Sequence, residues 1–287
     1  SSLVGSEMCI RDRSKAFEQF KNRIANQRLN DKRERENFCL SKFWRYAAVI
    51  VVLFSVSYFS YWRGGISIKE VFSDIIVEAP LGSRTKLTLP DGTLVWLNAG
   101  SRITYSQGFG VGNRKIELIG EGYFEVKRNE EVPFLVKTNS LLVKVLGTKF
   151  NFRDYPDDAE AIVSLSEGKV ALNNLLKKEK EAFLLPNERV VLNKKNGRMH
   201  VEYSTVSNAL QWTNGYLFFD EELLPDVVKE LERSYNVKIQ IASDTLNTFR
   251  FYGNFVHREQ NIQEVLEALS ATRKIHYIIE GHNITLY

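Results

Sequence analysis

Between about residues 80 and 172, apolar and polar side chains alternate in short runs. Ile116 and Leu118 alternate with charged neighbours, and Val163 and Leu165 lead into a Ser-Glu-Gly-Lys turn. A period of two over short runs bounded by turn residues is typical of half-buried β-strands. No helical pattern interrupts the series, so the sequence predicts a mainly β domain.

Residues 212–287 follow a different pattern and contain a duplication. A shift of 38 residues superposes Gly215 on Gly253 and aligns two stretches with apolar residues at i, i+3, i+4 and i+7, which predicts two amphipathic helices. Asp220 is predicted to cap the first helix and Asn261 the second. The order strand, helix, strand occurs twice, with ITLY as a last strand. This predicts a small α+β (βαββαβ) domain, with one open sheet and its helices on one face.

A long apolar segment lies nearer the N-terminus. Residues 43–62 read FWRYAAVIVVLFSVSYFSYW, with Arg45 as their one charge. Twenty helical residues extend about 30 Å, the thickness of a bilayer core. Trp44 and Trp62 mark the two ends, where interfacial aromatic residues are expected. The alternatives are a buried core helix, which rarely lacks a polar face for so long, and a signal peptide, whose charged region would be unusually long. We predict one transmembrane helix.

Charge is distributed unevenly and orients the predicted span. Residues 11–45 hold eleven Lys or Arg against five Asp or Glu, whereas only Arg63 closely follows the span. The positive-inside rule therefore predicts a cytoplasmic N-terminus. Cys9 and Cys39, the two cysteines of the chain, both precede the span, as expected if the rest lies in an oxidising compartment. The remainder is nearly neutral, which argues against direct nucleic-acid binding.

The segment before the span divides into two parts. Residues 1–13 show no periodicity and resemble a translated cloning artefact, so we interpret them as a non-native leader and exclude them from the fold. Residues 14–42 are highly charged and place Phe17, Phe20 and Ile24 at i, i+3 and i+7. Such a thin apolar stripe cannot form a core, so it predicts a helix that either docks on a partner or frays.

Residues suited to catalysis or metal binding are sparse. The four histidines have no second ligand at a suitable spacing, and they are His200, His257, His276 and His282. The glycine run 108–113 leads into a strand, so it offers no helix N-terminus to a phosphate. Asp157 and Asp158 are interpreted as a turn rather than a calcium site, and Asp91 in LPDGT as part of a hairpin turn. The sequence predicts no enzyme, no metal and no cofactor.

Several motifs occur in an order that is specific as a set. They read GSRTKLTLPDGTLVWLNAGSRITY, ELIGEGYFEVKRNEEVPFLVKT, VKVLGTKFNF and VSLSEGKVAL. This series resembles the FecR family of transmembrane anti-sigma factors. NGYLFFDEELLPDVVKELERSYNVKI and GNFVHREQNIQEVLEALSATRKIHY look like the C-terminal domain of its Bacteroidetes-type branch. That domain is similar to the short N-terminal domain of secretins and TonB-dependent receptors.

The resemblance implies signal transduction from the inner membrane. The periplasmic part would receive a signal from the signalling domain of an outer-membrane TonB-dependent transporter. Regulated cleavage by membrane proteases would then pass it to an extracytoplasmic-function (ECF) sigma factor. Siderophore, citrate and glycan transporters are all compatible with the pattern. The cytoplasmic arm is shorter than the family's usual sigma-binding region, and its candidate contacts are Phe17, Phe20 and Ile24.

A partner strand can join a free sheet edge, so the receiving surface is expected on the aromatic strands of the C-terminal domain. The candidate contacts are Tyr216, Phe219, Tyr252 and Phe255, whereas Phe218 and Phe251 are expected in the core. The alternative to a signal receiver is a membrane-anchored envelope assembly module that uses the secretin-like domain for protein–protein contacts.

The predicted organisation has six segments. They are the leader 1–13, the charged cytoplasmic helix 14–42, the transmembrane helix 43–62 in the lipid bilayer, a linker 63–77, the β domain 78–207 and the α+β domain 208–287.

Overall fold

The computed structural model describes residues 17–26, 47, 49–62, 73–203, 210–271 and 274–287. The chain divides into two compact units, Ser1–Val71 and Phe72–Tyr287. The first unit contains helix α1 (17–26) and helix α2 (49–62). Among the helices of the described residues, none has both the length and the apolar content needed to cross a bilayer. The predicted span 43–62 lies partly outside these residues. The predicted leader 1–13 lies wholly outside them, and so does most of the predicted linker 63–77.

The second unit begins with a β domain, as the period-two pattern predicts. Its described strands, numbered β1 to β13 in chain order, are Ile75–Ala79, Thr85–Thr88, Leu94–Leu97, Ser101–Tyr105, Arg114–Glu125, Phe134–Lys137, Leu141–Val145, Lys149–Asp154, Glu160–Glu167, Val170–Asn174, Ala182–Leu184, Glu188–Asn193 and Met199–Tyr203. β1 starts inside the predicted linker, because Ile75 to Ala79 pair with β4. The domain therefore starts three residues before the predicted boundary at 78.

The long strand β5 joins the two halves of this sheet. Its first half pairs with β4 and β6, and its second half pairs with β3 and β8. The change of partners occurs at Gly120, which has φ +98°. A Cβ there would lie 2.5 Å from Ser101 Oγ, so only glycine allows this close approach.

One hydrophobic core fills the β domain. Phe124, Phe134, Phe150 and Phe152 are fully buried in it, and Phe124 stacks on Phe150 at 5.0 Å between ring centroids. The inward positions of the alternating pattern supply these rings, so the pattern that predicts the strands also selects the core. The outward faces of β5, β8 and β9 carry polar residues, which lie toward the C-terminal part of the same unit.

The C-terminal module, defined here as residues 210–287, has two similar copies. The first contains β14 (Tyr216–Leu223), α3 (Leu224–Tyr235) and β15 (Lys238–Ile241), and the second contains β16 (Arg250–Val256), α4 (Ile262–Ser270) and β17 (Tyr277–Glu280). Strand β18 (Asn283–Leu286) follows, and two short 3₁₀ helices cover Gln211–Asn214 and Asp244–Thr248. The order of elements agrees with the predicted duplication.

The prediction of one open sheet is wrong for this module. β14 pairs with β16, whereas β18 lies between β15 and β17 in a separate sheet of three strands. Each copy thus gives its first strand to one sheet and its second strand to the other. Both sheets and both helices bury apolar side chains in a common core, so a continuous sheet is not needed to cover the helices.

The two predicted helix caps have different outcomes. Asn261 accepts a hydrogen bond from Glu264 N and Glu264 returns one to Asn261 N, which is a complete capping box. Asp220 does not cap α3, because it lies within β14 and the strand continues to Leu223. The helix begins at Leu224 instead, and Pro225 follows in its first turn, where the fixed φ of proline is suitable.

Candidate functional site

The LPDGT turn is a structural hairpin, as predicted. Leu89 N donates to Thr93 O at 2.8 Å, and Gly92 takes φ +87°. Asp91 accepts from Thr93 N and Thr93 Oγ1, both at 2.9 Å, and forms a buried ion pair with Arg114 at 3.3 Å. These contacts of Asp91 are all with its own hairpin or with Arg114. The turn therefore shapes the β domain and does not form a reactive site.

The following Asn-Ala-Gly-Ser turn leads to the face that meets the C-terminal module. Ser101 Oγ accepts from Glu121 N at 2.8 Å, which the close approach at Gly120 permits. The Tyr155 hydroxyl lies 3.2 Å from Ser101 Oγ and donates to Ala99 O at 2.9 Å. These bonds fix Glu121 on the outer face of β5.

Glu121 is a buried carboxylate held by two amides. Asn98 Nδ2 and Asn151 Nδ2 each donate to it at 2.8 Å. Burial raises the pKa of Glu121, and the nearby Arg153 opposes that rise. Asn151 also accepts from Trp212 Nε1 at 3.1 Å, so the amide connects the β domain to the C-terminal module. Around Glu121 the face is therefore polar and hydrogen-bonded.

Two arginines and one aspartate form the centre of the interface. Asp158 of the β domain accepts from Arg153 Nε at 2.9 Å and from Arg233 of α3 at 3.0 Å. Burial acts to raise the pKa of Asp158, but the two guanidinium groups outweigh it and lower that pKa. The guanidinium of Arg233 also stacks over the Tyr155 ring, 3.9 Å from its centroid. Breaking this set would leave buried charges without partners.

Glu230, one turn before Arg233 on α3, completes the network. Asn98 Nδ2 donates to Glu230 Oε1 at 3.4 Å, and Oε2 lies 3.7 Å from both Arg153 and Arg233. The backbone adds one direct link, because Gly82 N donates to Arg233 O at 2.8 Å. The β-domain side chains that contact this face of α3 are therefore those of Asn98, Arg153, Tyr155 and Asp158.

This arrangement can couple two domains mechanically and electrostatically. Its carboxylates are paired with guanidinium or amide groups, and in the described part of the chain no cluster of three His, Cys, Asp or Glu residues could hold a metal ion. Ion pairs of this kind fix the orientation of α3 on the β domain more than they add stability, because desolvation offsets much of their attraction.

The four predicted receptor contacts separate into two kinds. Phe219 and Phe255 are only 4% and 5% exposed and pack in the module core, so their assignment as contact residues is wrong. Strand alternation explains this, because Phe219 and Phe255 face inward. Tyr216 and Tyr252 are 39% and 67% exposed, on β14 and β16. Of the two rings expected in the core, Phe251 is buried and Phe218 is half-buried.

The residues predicted for the other partners lie in the first unit. Phe17, Phe20 and Ile24 lie on α1, and all three side chains are exposed. Trp62 is exposed at the end of α2, whereas Trp44 lies outside the described residues. A helix along 17–26 agrees with the predicted stripe.

Sequence reasoning missed the charged interface. Asp157 and Asp158 are more than a turn, because both contact Arg233. A signal was present in the duplication. The 38-residue shift sets Glu230 and Arg233 of the first copy against Ala268 and Ala271 of the second. Charged residues at positions where the sister helix has alanine indicate a contact that only the first copy makes.

Comparisons with known proteins agree with this division into regions. The pattern of the FecR protein family matches residues 76–171, and that of the FecR C-terminal region matches residues 216–286. Two crystal structures of a candidate anti-sigma factor from Parabacteroides distasonis ATCC 8503 are similar, each with 33% identity and a TM-score of 0.69. They cover 74% and 75% of this chain and 98% and 99% of their own. No curated protein matches the chain.

Proposed function

Because the chain belongs to the FecR family, we propose that it is an anti-sigma factor that regulates one ECF sigma factor and has no enzymatic activity of its own. The observation that carries the proposal is that both FecR regions occur in one chain, and that this chain matches 98% of a candidate anti-sigma factor at 33% identity. The site supports a regulator, because its charged groups join two domains and present no nucleophile activated by a base.

The proposed topology places residues 43–62 across the inner membrane, with Trp44 and Trp62 at its interfaces. The cytoplasmic side then carries α1. Its exposed side chains Phe17 and Phe20 form an apolar surface of the kind that binds in a partner's groove. We assign this stripe, with Ile24, to the sigma factor.

The periplasmic side would receive the signal through the C-terminal module. β14 has one paired edge among the described strands, and the exposed rings of Tyr216 and Tyr252 flank the β14–β16 sheet. The signalling domain of a TonB-dependent transporter would dock here by adding a strand. The ion pairs of Arg233 would pass the change to the β domain, and membrane proteases would then release the cytoplasmic arm.

The sigma-binding assignment is tested with the full chain in its host. A reporter driven by the cognate ECF sigma factor and co-purification of that sigma factor are measured together. Phe20→Asp places a charge in the stripe and should abolish both regulation and co-purification. Asn22→Asp introduces the same charge on the opposite face of α1 and should leave both unchanged. If Phe20→Asp regulates and co-purifies like the unmodified chain, the assignment is wrong.

A further inference from the structure

A cleft of about 400 Å³ lies between the β domain and the first copy of the C-terminal module. One wall is the outer face of the β sheet, represented by Ile162 and Ser164 of β9. The other wall is β14 and the start of α3. The charged network described above closes its inner end through Glu121 and Glu230.

The cleft is strongly acidic. Five carboxylate side chains line it, and they are Glu121, Asp220, Glu222, Asp226 and Glu230. Two arginines also line it, but both have partners of their own. Arg153 donates to Asp158 at 2.9 Å, and Arg189 donates to Glu202. Asp226 has a partner as well, Lys229 at 3.5 Å, so the other four carboxylates dominate the charge that an incoming group meets.

Two of these carboxylates have unused acceptor capacity. Glu230 is 8% exposed, and its Oε2 lies 3.7 Å from Arg153 and Arg233 but accepts no hydrogen bond in the part of the chain that the structure describes. The Glu222 side chain, at the outer end of β14, likewise has no hydrogen bond or ion pair to a described residue. Partial desolvation of the carboxylate and the charge of Asp226 raise the pKa of Glu222, while Arg153 opposes the rise. A cation entering here would relieve repulsion between carboxylates.

The mouth of the cleft also suits an extended peptide. Its lining includes the rings of Tyr203, Tyr216 and Phe218, which can cover the methylene stem of a long basic side chain. The edge of β14 that lines the cleft has no strand partner among the described residues. A peptide strand could pair there and direct one side chain inward.

We propose that this acidic cleft binds a lysine or arginine side chain, carried on an extended segment of a partner protein that pairs with β14. The assignment rests on the proposed function only for the source of that segment, namely the transporter's signalling domain. The existence of the site rests on the charges and the strand edge. Filling the cleft would place a cation beside the Arg153–Glu230 pair, where it competes with the bonds that hold α3.

The experiment titrates the full chain in detergent micelles with three short acetylated peptides of serine, threonine and valine. Their central residue is lysine, norleucine or glutamate, and binding is measured by calorimetry. We expect the lysine peptide to bind at least tenfold more tightly than the norleucine peptide, with affinity falling as salt is raised. The glutamate peptide should not bind. Spermidine, which carries charge without a strand, should bind more weakly than the lysine peptide.

Matched variants locate the site. Glu222→Gln combined with Asp226→Asn removes two charges from the mouth and should weaken the lysine peptide about tenfold. Glu221→Gln combined with Glu259→Gln removes two charges from exposed positions of the same module outside the cleft and should change affinity less than twofold. Circular dichroism melts check that both variants fold.

Three results would overturn the inference. They are equal binding of the lysine and norleucine peptides, equal effects of the two double variants, and spermidine binding as tightly as the lysine peptide. None of these results depends on sigma-factor regulation. Failure of the peptide assay with an intact reporter response would contradict this cleft alone, whereas peptide binding without any reporter response would contradict the proposed function alone.

Discussion

The two helices of the C-terminal module have the same position in the duplication but different surroundings. α4 buries only Val265, Leu266 and Leu269, the apolar stripe of its copy. α3 buries the matching apolar stripe and also three polar residues, Glu230, Arg233 and Ser234. Those polar residues contact the β domain or lie beside the groups that do. One helix thus serves only the module core, while the other serves the core and an interface.

This difference shows how one copy of a duplicated fold can form an interface that the other copy lacks. The apolar positions of both copies stay similar because a common core requires them. On the outward face the copies differ, because the first has Glu230 and Arg233 where the second has Ala268 and Ala271. The hydrophobic pattern therefore determines the fold of the module, and the charged residues determine which copy contacts the β domain.

The largest effect is expected when this asymmetry is removed. Arg233→Ala makes the first copy resemble the second, which has Ala271 at that place. It leaves Asp158 and Glu230 buried with one guanidinium fewer, so we expect the free energy of unfolding to fall by about 3 kcal/mol. Urea denaturation of the full chain, followed by circular dichroism, measures it.

The reverse change is the control. Ala271→Arg puts an arginine at the exposed end of α4, a helix that buries only apolar residues, and should alter stability by less than about 0.5 kcal/mol. If Arg233→Ala and Ala271→Arg have equal effects, the two helices do not differ as described.

A smaller effect is expected from the pH dependence of Asp158. Its folded-state pKa is lowered below the ordinary value of 3.8, because Arg153 and Arg233 outweigh the effect of burial. A lowered pKa contributes stability that is present above the unfolded pKa and is lost as pH falls below it. Asp158→Asn should therefore be less stable than the unmodified chain at pH 7, and the difference should shrink below about pH 4. Denaturation midpoints at several pH values measure it, and a constant difference down to pH 3 would contradict the pairing.

The smallest stability effect is expected at Trp212. Trp212→Phe keeps an aromatic ring but removes the N–H that donates to Asn151. Loss of one such hydrogen bond should reduce the free energy of unfolding by about 1 kcal/mol. The position that aligns with Trp212 in the second copy is Arg250, which bonds to Glu221 O inside the module. An unchanged midpoint for Trp212→Phe would mean that this link between the domains contributes nothing.

Much of the architecture follows from local patterns in the sequence. Period-two alternation predicts the strands that include Ile116 and Val163, and i, i+3, i+4, i+7 spacing predicts both helices of the module. Asn261 begins α4 because a capping box is a short-range signal. These features depend on residues close together in the chain, so a single sequence contains them.

The features that could not be predicted depend on partners far apart in the chain. The pairing of β18 with both β15 and β17 is a choice among strands of similar composition. The sequence pattern alone puts Glu230 and Arg233 on the solvent-exposed side of an amphipathic helix. Only the three-dimensional structure shows that the β domain covers them. Phe219 differs from Tyr216 only by strand phase, which a bulge between Phe219 and Glu222 also disturbs. Alternation alone therefore could not say which ring is exposed.

The most direct test of the account concerns the receiving surface. The isolated signalling domain of the cognate TonB-dependent transporter is expressed in the periplasm of cells that carry the full chain and the sigma reporter. With the unmodified chain, reporter output should change when that domain is present. Combining Tyr216→Ser with Tyr252→Ser removes two exposed rings without touching the core, so basal output should be unchanged while the response to the signalling domain is lost. A full response from the double variant would contradict the claim that the C-terminal module receives the signal through this surface.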